Sequence, residues 1–357
     1  MSTAAAVRGT RSAAEDQNQP LLEVQGLHLE FPTYWGVTRA LNGVDLALRR
    51  GEIAGLVGES GCGKSVTAMA VMRLLPEGHY RVPQGRILFR GEDLLARDEQ
   101  GMQRIRGQHI SMIFQEPMTS LNPTIRVGRQ IAEVIQSHQD VTRSAATARA
   151  ADLLREMRIP DAERVAGLYP HELSGGMRQR SMIAMALSCE PDLLIADEPT
   201  TALDVTVQAQ VLALLKQKCV ERRTAVLLIT HDLGVVANVC RQVAVMYAGN
   251  VVETGPVDEV LASPRHPYTA ALLETIPERF HRDERLRVIP GSVPSLLHPP
   301  PGCRFHPRCA AAAPRCARER PPVFWSTSVC AGGDRHGAAC WLLEDRDGNC
   351  GWEECSP

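Results

Sequence analysis

The sequence predicts an α/β domain with a mainly parallel sheet, a helical insertion and a small cysteine-rich C-terminal extension. Three observations predict this organisation. Short apolar runs, each followed at once by polar residues, alternate with helical stretches, as in sheets that are buried on both faces. No convincing strand lies between about residues 118 and 175. Seven of the eleven cysteines lie from Cys303 onward, in a proline-rich segment.

The strands are predicted from two kinds of pattern. Apolar and polar residues alternate over residues 21–31 and 44–48, which indicates half-buried antiparallel strands. Continuous apolar runs indicate strands buried on both faces over residues 53–57, 110–114, 193–196 and 226–229. Helix propensity and the spacing of apolar residues predict helices over residues 65–75, 143–157 and 205–222.

Composition sets the predicted domain boundaries. Residues 1–20 lack the apolar core of a signal peptide and predict a disordered tail. From Ser263 onward prolines break regular structure, which predicts a linker into an extension of residues 263–357. The main domain is then residues 21–262, with its helical subdomain at about 118–180. Because no run of 18 apolar residues occurs, a membrane role requires a partner, and the net charge of −2 argues against nucleic acid.

A glycine-rich loop follows the first buried strand. Its sequence, Gly-Glu-Ser-Gly-Cys-Gly-Lys-Ser at residues 58–65, fits the phosphate loop G-x-x-x-x-G-K-[ST]. Backbone N–H groups and the positive end of the next helix would surround an anion, with Lys64 on the β- and γ-phosphates and Ser65 on Mg²⁺. A chance glycine-rich turn is the alternative, which the flanking strand and helix disfavour. The expected nucleotide contacts are Gly58, Ser60, Gly61, Cys62, Gly63, Lys64, Ser65 and Val66.

Two adjacent carboxylates, Asp197 and Glu198, follow the apolar run of residues 193–196. Ligands of open α/β sheets sit at the carboxyl ends of the strands, where a carboxylate pair is costly without a cation or a proton-transfer role. We therefore expect Asp197 to hold Mg²⁺, directly or through water, and Glu198 to polarise the water that attacks the γ-phosphate. An exposed acidic turn is the alternative reading of the pair.

The stretch Leu-Ser-Gly-Gly-Met-Arg-Gln at residues 173–179 opens a predicted helix with Ser174, Gly175 and Gly176. Such an end can receive a second phosphate group, although a capped surface helix has the same pattern. The stretch resembles the L-S-G-G-x-x-Q signature of ABC ATPases. This resemblance implies a P-loop NTPase cassette with an antiparallel β subdomain and a helical subdomain. It also implies dimerisation, since the signature helix of one monomer closes over ATP held by the other.

Further motifs resemble this family in the expected order. Gln115 resembles the Q-loop glutamine, which touches Mg²⁺ and water, and His231 resembles the switch histidine on the γ-phosphate. The tripeptide at residues 202–204, Ala-Leu-Asp, resembles the D-loop that bridges the monomers. In the family, adenine stacks on an aromatic residue ahead of the phosphate loop. Trp35 is preferred over Tyr34 for this role, and either could instead cover the sheet edge.

Longer strings at residues 114–123, 169–173 and 265–269 resemble the ATP-binding subunits of dipeptide and oligopeptide importers, a resemblance that spans about residues 21–341. It implies an ATPase on the cytoplasmic face of the membrane, with a paralogous ATPase, two permease subunits and an extracytoplasmic substrate-binding protein. Importers of nickel or glutathione share much of these strings, so another small cargo is an alternative. Soluble ABC ATPases are a further alternative, but they usually carry tandem cassettes or long coiled coils.

The cysteine-rich segment resembles the four-cysteine pattern of the peptide importer extension. Since no export signal is recognised, a reducing compartment is expected, where a metal site is favoured over disulfides. The resemblance implies that a [4Fe–4S] cluster binds there, with zinc and adventitious cysteines as alternatives. Cys330 could replace Cys340, His306 is an outside ligand candidate, and a structural centre is favoured over a redox sensor. The expected ligands are Cys303, Cys309, Cys316 and Cys340, and the cysteines beyond the pattern are Cys330, Cys350 and Cys355.

Overall fold

The first sheet along the chain is antiparallel. The computed structural model describes residues 19–115, 120–201, 203–275, 288–326 and 334–344. The strands of the first sheet are β1 (Pro20–Thr33), β2 (Gly36–Arg49), β4 (Arg81–Phe89) and β5 (Glu92–Asp93), in the order β2-β1-β4-β5. Both predicted alternating strands are confirmed. The second is longer than predicted because β2 pairs with β1 as far as the turn at Tyr34 and Trp35.

The main sheet has a parallel centre. This centre is formed by β3 (Ile53–Val57), β6 (Ile110–Ile113), β7 (Leu193–Asp197), β8 (Ala225–Thr230) and β9 (Gln242–Tyr247), in the order β9-β3-β8-β7-β6. The four buried strands are confirmed to within one residue at each end. Three antiparallel strands, which the sequence did not predict, extend the sheet beyond β9. They are β10 (Asn250–Pro256), β12 (Gly337–Ala338) and β11 (Phe324–Trp325).

Helices occupy the region predicted as a helical insertion, without a strand in its described part. They are α3 (Val127–His138), α4 (Arg143–Glu156), α5 (Ala162–Ala166) and α6 (Gly175–Ala186). Helix α7 (Val205–Arg222) has the predicted bounds, whereas α1 (Lys64–Val71) ends earlier than predicted because Arg73 adopts a φ of 48°. The other helices of the described chain are α2 (Glu99–Ile105), α8 (Leu233–Val239), α9 (Val257–Ala262) and α10 (Pro267–Leu273).

Alternate residues of the central strands face two hydrophobic cores. On β7, Leu193 and Ile195 pack with α1 and the antiparallel sheet, while Leu194 and Ala196 pack with the helical region. This arrangement explains why β7 is apolar without alternation, as expected of a strand that is covered on both faces. It also leaves the carboxyl ends of β3, β6, β7 and β8 at one edge of the sheet, where the polar motifs follow.

The C-terminal extension packs against the main sheet. Phe305 lies against Tyr247 of β9 and Tyr268 of α10, with ring centroids 5.2 and 5.4 Å apart. Helix α10 forms within the proline-rich region because Pro267 occupies its first turn, where its missing N–H has no helical partner to lose. Helices long and apolar enough to cross a membrane are not found in the described ranges.

Candidate active site

The phosphate loop, residues 58–65, connects β3 to α1. A Cβ atom at Gly58 would lie 2.1 Å from the Met246 carbonyl oxygen, and Gly63 has a φ of 109°, so neither position accommodates a larger residue without strain. The N–H of Gly249 donates to the carbonyl of Cys62 at 2.7 Å. The backbone of the loop is therefore held against β9 and the turn that follows it.

Lys64 lies inside the loop. Its Nζ donates to the carbonyl oxygens of Gly58 at 2.8 Å and Glu59 at 3.1 Å, and its side chain is buried. Cys62 is buried beneath it, while Ser60 and Gly61 form the exposed tip and Ser65 and Val66 are half-buried. This arrangement places a fixed cation within a ring of loop backbone, which is suited to binding a polyphosphate.

The Asp197 carboxylate lies beside the phosphate loop at the end of β7. Burial raises the pKa of this carboxyl, with the neighbouring Ser65 hydroxyl opposing the shift and the charge of Glu198 adding to it. Its Oδ1 atom is buried without a hydrogen-bond partner among the described residues. A hydroxyl and an unsatisfied carboxylate oxygen are hard donors of the kind that Mg²⁺ prefers, so these two residues fit a magnesium site.

Three side chains from separate segments meet Glu198. Its Oε2 accepts hydrogen bonds from Gln115 Nε2 at 3.1 Å and Thr201 Oγ1 at 3.0 Å, and its Oε1 lies 3.2 Å from His231 Nδ1. Glu198 has a φ of 45°, a left-handed conformation that is uncommon outside glycine. Its N–H donates to Ile229 of β8 at 2.8 Å, so the main sheet fixes this conformation.

The signature residues begin α6. The Ser174 hydroxyl accepts a hydrogen bond from the Met177 N–H at 3.3 Å, which caps the helix. A Cβ atom built on Gly175 would lie 3.2 Å from Leu203, and one built on Gly176 would lie 2.8 Å from Val207 at the start of α7. The signature thus lies beside the segment that resembles the D-loop, of which Ala202 falls outside the described residues.

The two aromatic candidates for adenine binding lie at the tip of the β1–β2 hairpin. Tyr34 and Trp35 are 93% and 78% exposed, and their rings meet edge to face at 5.0 Å. Neither ring therefore covers the edge of the sheet. Exposed aromatic pairs of this kind offer a free π-face to a planar ligand.

The four cysteines that match the family pattern line one cavity of about 100 Å³. They are Cys303, Cys309, Cys316 and Cys340, and all four are free thiols. Burial raises the pKa of the Cys340 thiol to about 11, with the other three cysteines adding to the shift. Within the described ranges no group of three or more His, Cys, Asp or Glu side chains has the arrangement of a metal site. Cys330, Cys350 and Cys355 lie outside the described residues.

Some contacts at the site escaped the sequence analysis. Thr201 touches Glu198, the Tyr268 hydroxyl accepts from the Glu59 N–H at 3.0 Å, and Arg308 pairs with Glu59 at 2.7 Å. Tyr268 belongs to the string at residues 265–269 that the sequence analysis had singled out, and Arg308 lies between the predicted ligands Cys303 and Cys309. Their nearness to the phosphate loop follows from the packing of the extension and has no local sequence signal.

Two protein families match the chain. The ABC transporter family matches residues 41–201, and the oligopeptide/dipeptide transporter C-terminal region matches residues 252–316. The probable D,D-dipeptide transport ATP-binding protein DdpD of Escherichia coli (strain K12) is 55% identical over 90% of this chain and 97% of its own length. The oligopeptide transport ATP-binding protein OppD of Bacillus subtilis (strain 168) is 50% identical over 90% of this chain and 89% of its own length.

A solved structure shares the fold. The dimeric structure of MJ0796, a bacterial ABC transporter cassette, matches with a TM-score of 0.59 and 25% identity, covering 66% of this chain and 98% of that one. The fold and the family match together define an ABC ATPase, as the signature motif indicated. The chain belongs to the oligopeptide/dipeptide import family of ABC transporter ATP-binding proteins.

Proposed function

We propose that this chain binds MgATP on its phosphate loop and hydrolyses it as one half of a nucleotide-sandwich dimer that powers peptide import. The observation that carries the residue assignment is the convergence of Gln115 and His231 on Glu198. These side chains follow three different parallel strands, and an accidental surface cluster would not be expected to collect all three at one sheet edge.

ATP binding uses the loop and its flanking residues. The backbone N–H groups of the loop and Lys64 hold the phosphates, and Ser65 and Asp197 hold Mg²⁺ together with Gln115. The ring of Trp35 stacks on adenine. The residues proposed to touch nucleotide on this side are Gly58, Ser60, Gly61, Cys62, Gly63, Lys64, Ser65 and Val66.

Hydrolysis is assigned to Glu198 as general base. It accepts a proton from water while the water oxygen bonds to the γ-phosphorus, and the bond to the bridging oxygen breaks to give ADP and inorganic phosphate. His231 contacts the γ-phosphate and Gln115 orients the water. The contacts of these two side chains with Glu198 support the assignment because they fix the carboxylate before the reaction.

The second half of the site comes from a partner chain. Ser174, Gly175 and Gly176 at the start of α6 are proposed to close over nucleotide that the partner ATPase holds. The dimeric ABC cassette with the same fold supports this arrangement. We propose a paralogous ATPase as the partner, below two permease subunits on the cytoplasmic face of the membrane, with an extracytoplasmic substrate-binding protein in the full complex.

Di- or oligopeptides are the proposed cargo. The two relatives described above are named for D,D-dipeptide and oligopeptide transport, and the matched C-terminal region is that of peptide transporters. Because the proposed site residues act on ATP, the same motor with nickel or glutathione as cargo is the second candidate.

A [4Fe–4S] cluster is the proposed occupant of the cysteine-lined cavity, with zinc as the alternative. Four sulfur donors around one cavity fit either group by the chemistry of the donor set. The free thiols must be deprotonated to act as ligands. A bound cation favours this against burial, which raises the pKa of Cys303, Cys309 and Cys340. When bound, the group would link segments that have a small core of their own.

The replacement Glu198→Gln tests the proposed chemistry. Because glutamine cannot accept the proton, ATP turnover in the assembled transporter is expected to fall at least about 100-fold while ATP binding is retained. A closed dimer should then accumulate with MgATP and be visible by sedimentation. Glu221→Gln, an exposed carboxylate on α7, is the matched control. Turnover at the wild-type rate in the Glu198 variant would remove the base assignment.

A further inference from the structure

An arginine of the C-terminal extension reaches the phosphate loop. Arg308 Nη1 lies 2.7 Å from Glu59 Oε2, and Arg308 Nη2 lies 3.2 Å from Glu59 Oε1, so the guanidinium grips both carboxylate oxygens. Glu59 is the second residue of the loop and Arg308 stands next to Cys309. The extension is thus bonded directly to the segment that is proposed to bind phosphate.

Every N–H group of the Arg308 guanidinium has a hydrogen-bond acceptor. Besides Glu59, its Nε donates to the Pro290 carbonyl at 2.8 Å, Nη2 donates to the Ile289 carbonyl at 3.2 Å, and Nη1 donates to the Tyr247 hydroxyl at 3.3 Å. These contacts engage all five N–H groups of the guanidinium. The side chain is 4% exposed and lies over the Tyr247 ring. An exposed ion pair at a protein surface lacks such additional hydrogen bonds and burial, and contributes little to stability.

Glu59 is held at its backbone as well. Its N–H donates to the Tyr268 hydroxyl at 3.0 Å, and its carbonyl oxygen accepts from Lys64 Nζ at 3.1 Å. Glu59 therefore connects the extension, α10 and Lys64, the lysine that is proposed to bind phosphate. A movement of Glu59 would move the carbonyl to which the ammonium of Lys64 is bonded.

Charge gives this contact a consequence for nucleotide binding. An unpaired carboxylate within the loop would repel the phosphates across a partly desolvated site, where charges interact more strongly than in water. We propose that Arg308 is a positioning residue for ATP, which neutralises Glu59 and fixes it away from the phosphates. This inference rests on the proposed nucleotide site and adds the extension to it.

A purely structural role predicts a different pattern of variants. If Arg308 only fastens the extension, removing either partner of the pair should have similar effects, and removing both should restore nothing. If Arg308 neutralises Glu59, then Arg308→Met should weaken ATP binding because it exposes the carboxylate. Glu59→Gln should then leave ATP binding at least as tight as in the wild type, and the double variant should recover most of the loss.

The experiment measures the Kd of a non-hydrolysable ATP analogue with Mg²⁺ for the full chain at two salt concentrations. Arg308→Met is expected to raise this Kd about tenfold at low salt and less at high salt, since salt screens the exposed carboxylate. Arg315→Met is the matched control, because Arg315 pairs with Glu319 and Glu344 inside the extension. Its Kd is expected to stay at the wild-type value.

Two further variants keep the outcomes distinct. Arg308→Lys preserves the positive charge but lacks the planar guanidinium that contacts both carboxylate oxygens. It should bind ATP near the wild-type Kd even if its unfolding temperature falls. This variant replaces Arg308→Met in the test if the methionine variant does not fold. Lys64→Ala tests the proposed site in the same assay. An unchanged Kd in Arg308→Met, beside lost binding in Lys64→Ala, would overturn the inference alone. A double variant no better than Arg308→Met would also overturn it, and an unchanged Lys64→Ala would instead reject the proposed site.

Discussion

At the scale of single residues, Asp197 shows how the site is built at a cost to stability. Its buried Oδ1 has no hydrogen-bond partner in the described chain, and such an atom costs about 1–3 kcal/mol. Burial also raises the pKa of the carboxyl, which means that the fold disfavours its charge. A divalent cation beside Ser65 would offset both effects, as the proposed Mg²⁺ site requires.

Asp197→Asn is therefore expected to remove the dependence of ATP affinity on Mg²⁺. The amide preserves the shape of the side chain but has lost the charge that attracts the cation. ATP affinity measured in EDTA should stay within about threefold of the wild type, while the tightening on adding Mg²⁺ should disappear. Asp192→Asn is the control, since Asp192 pairs with Arg50 and Arg90 at the opposite end of β7. If Mg²⁺ increases the ATP affinity of Asp197→Asn as much as it does in the wild type, Asp197 is not a Mg²⁺ ligand.

At the scale of elements, the β1–β2 hairpin carries its aromatic pair into solvent. Trp35→Ala is expected to raise the Kd for ATP about fivefold or more, because stacking of a base on an aromatic ring contributes about 1–3 kcal/mol. The unfolding temperature should not change, since the ring is 78% exposed. Binding of inorganic triphosphate, which has no base, is the control ligand. If Tyr34→Ala weakens ATP binding more than Trp35→Ala does, the adenine contact belongs to Tyr34.

Helix α10 has a pH-sensitive cap. His266 is buried, and its Nδ1 accepts the Tyr268 N–H at 3.0 Å, which requires an unprotonated nitrogen. Burial lowers the pKa of His266 from 6.5 to about 4, against the opposing charge of Glu253. Because the unfolded chain binds the proton more readily, stability is complete above pH 6.5 and falls as the pH drops toward 4. The loss at its full extent is about 3 kcal/mol.

His266→Asn is the variant that checks this cap. Asparagine accepts the same N–H at a helix start but does not titrate, so unfolding free energy should depend less on pH between 4 and 6.5 than in the wild type. Denaturant unfolding at a series of pH values measures the difference. His171→Asn, at an exposed histidine, is the control. Equal pH dependence in the His266 variant and the wild type would contradict the lowered pKa.

Much of the fold could be predicted because its signals are local. Helix α7 was predicted to the residue from the apolar residues that repeat along it, and the structure adds that Asp204 caps its start. Strand β9 was missed although it is largely apolar, and β10 was missed because polar residues, glycine and proline interrupt its apolar pattern. The phosphate loop and the Asp197–Glu198 pair could be predicted from local motifs, whereas Gln115 depended on family resemblance, because it lies 83 residues from Glu198 in the sequence. Arg308 and Glu59 are 249 residues apart, and only the packing of the extension brings them together.

At the scale of the whole molecule, three sets of contacts connect the extension to the ATPase domain. Strands β11 and β12 add to the main sheet, and Arg308 holds the phosphate loop. His336 of the extension also lies 2.7 Å from the buried carboxylate of Glu253 on β10. A change in the cysteine-lined cavity should therefore affect more than the extension, because Cys309 is adjacent to the arginine that contacts Glu59.

Cys309→Ser tests this connection together with the proposed metal centre. Serine is a poor ligand for iron or zinc, so the variant is expected to lose its metal, to unfold at a lower temperature and to bind ATP more weakly. Iron, sulfide and zinc per chain are measured after purification without oxygen. About four iron and four sulfide in the wild type indicate the cluster, and one zinc without sulfide indicates a zinc centre. Cys189→Ser, a buried cysteine outside the cavity, is the control. Undiminished metal in the Cys309 variant would exclude Cys309 as a ligand, whereas lost metal with unchanged ATP affinity would show that the cavity and the phosphate loop act independently.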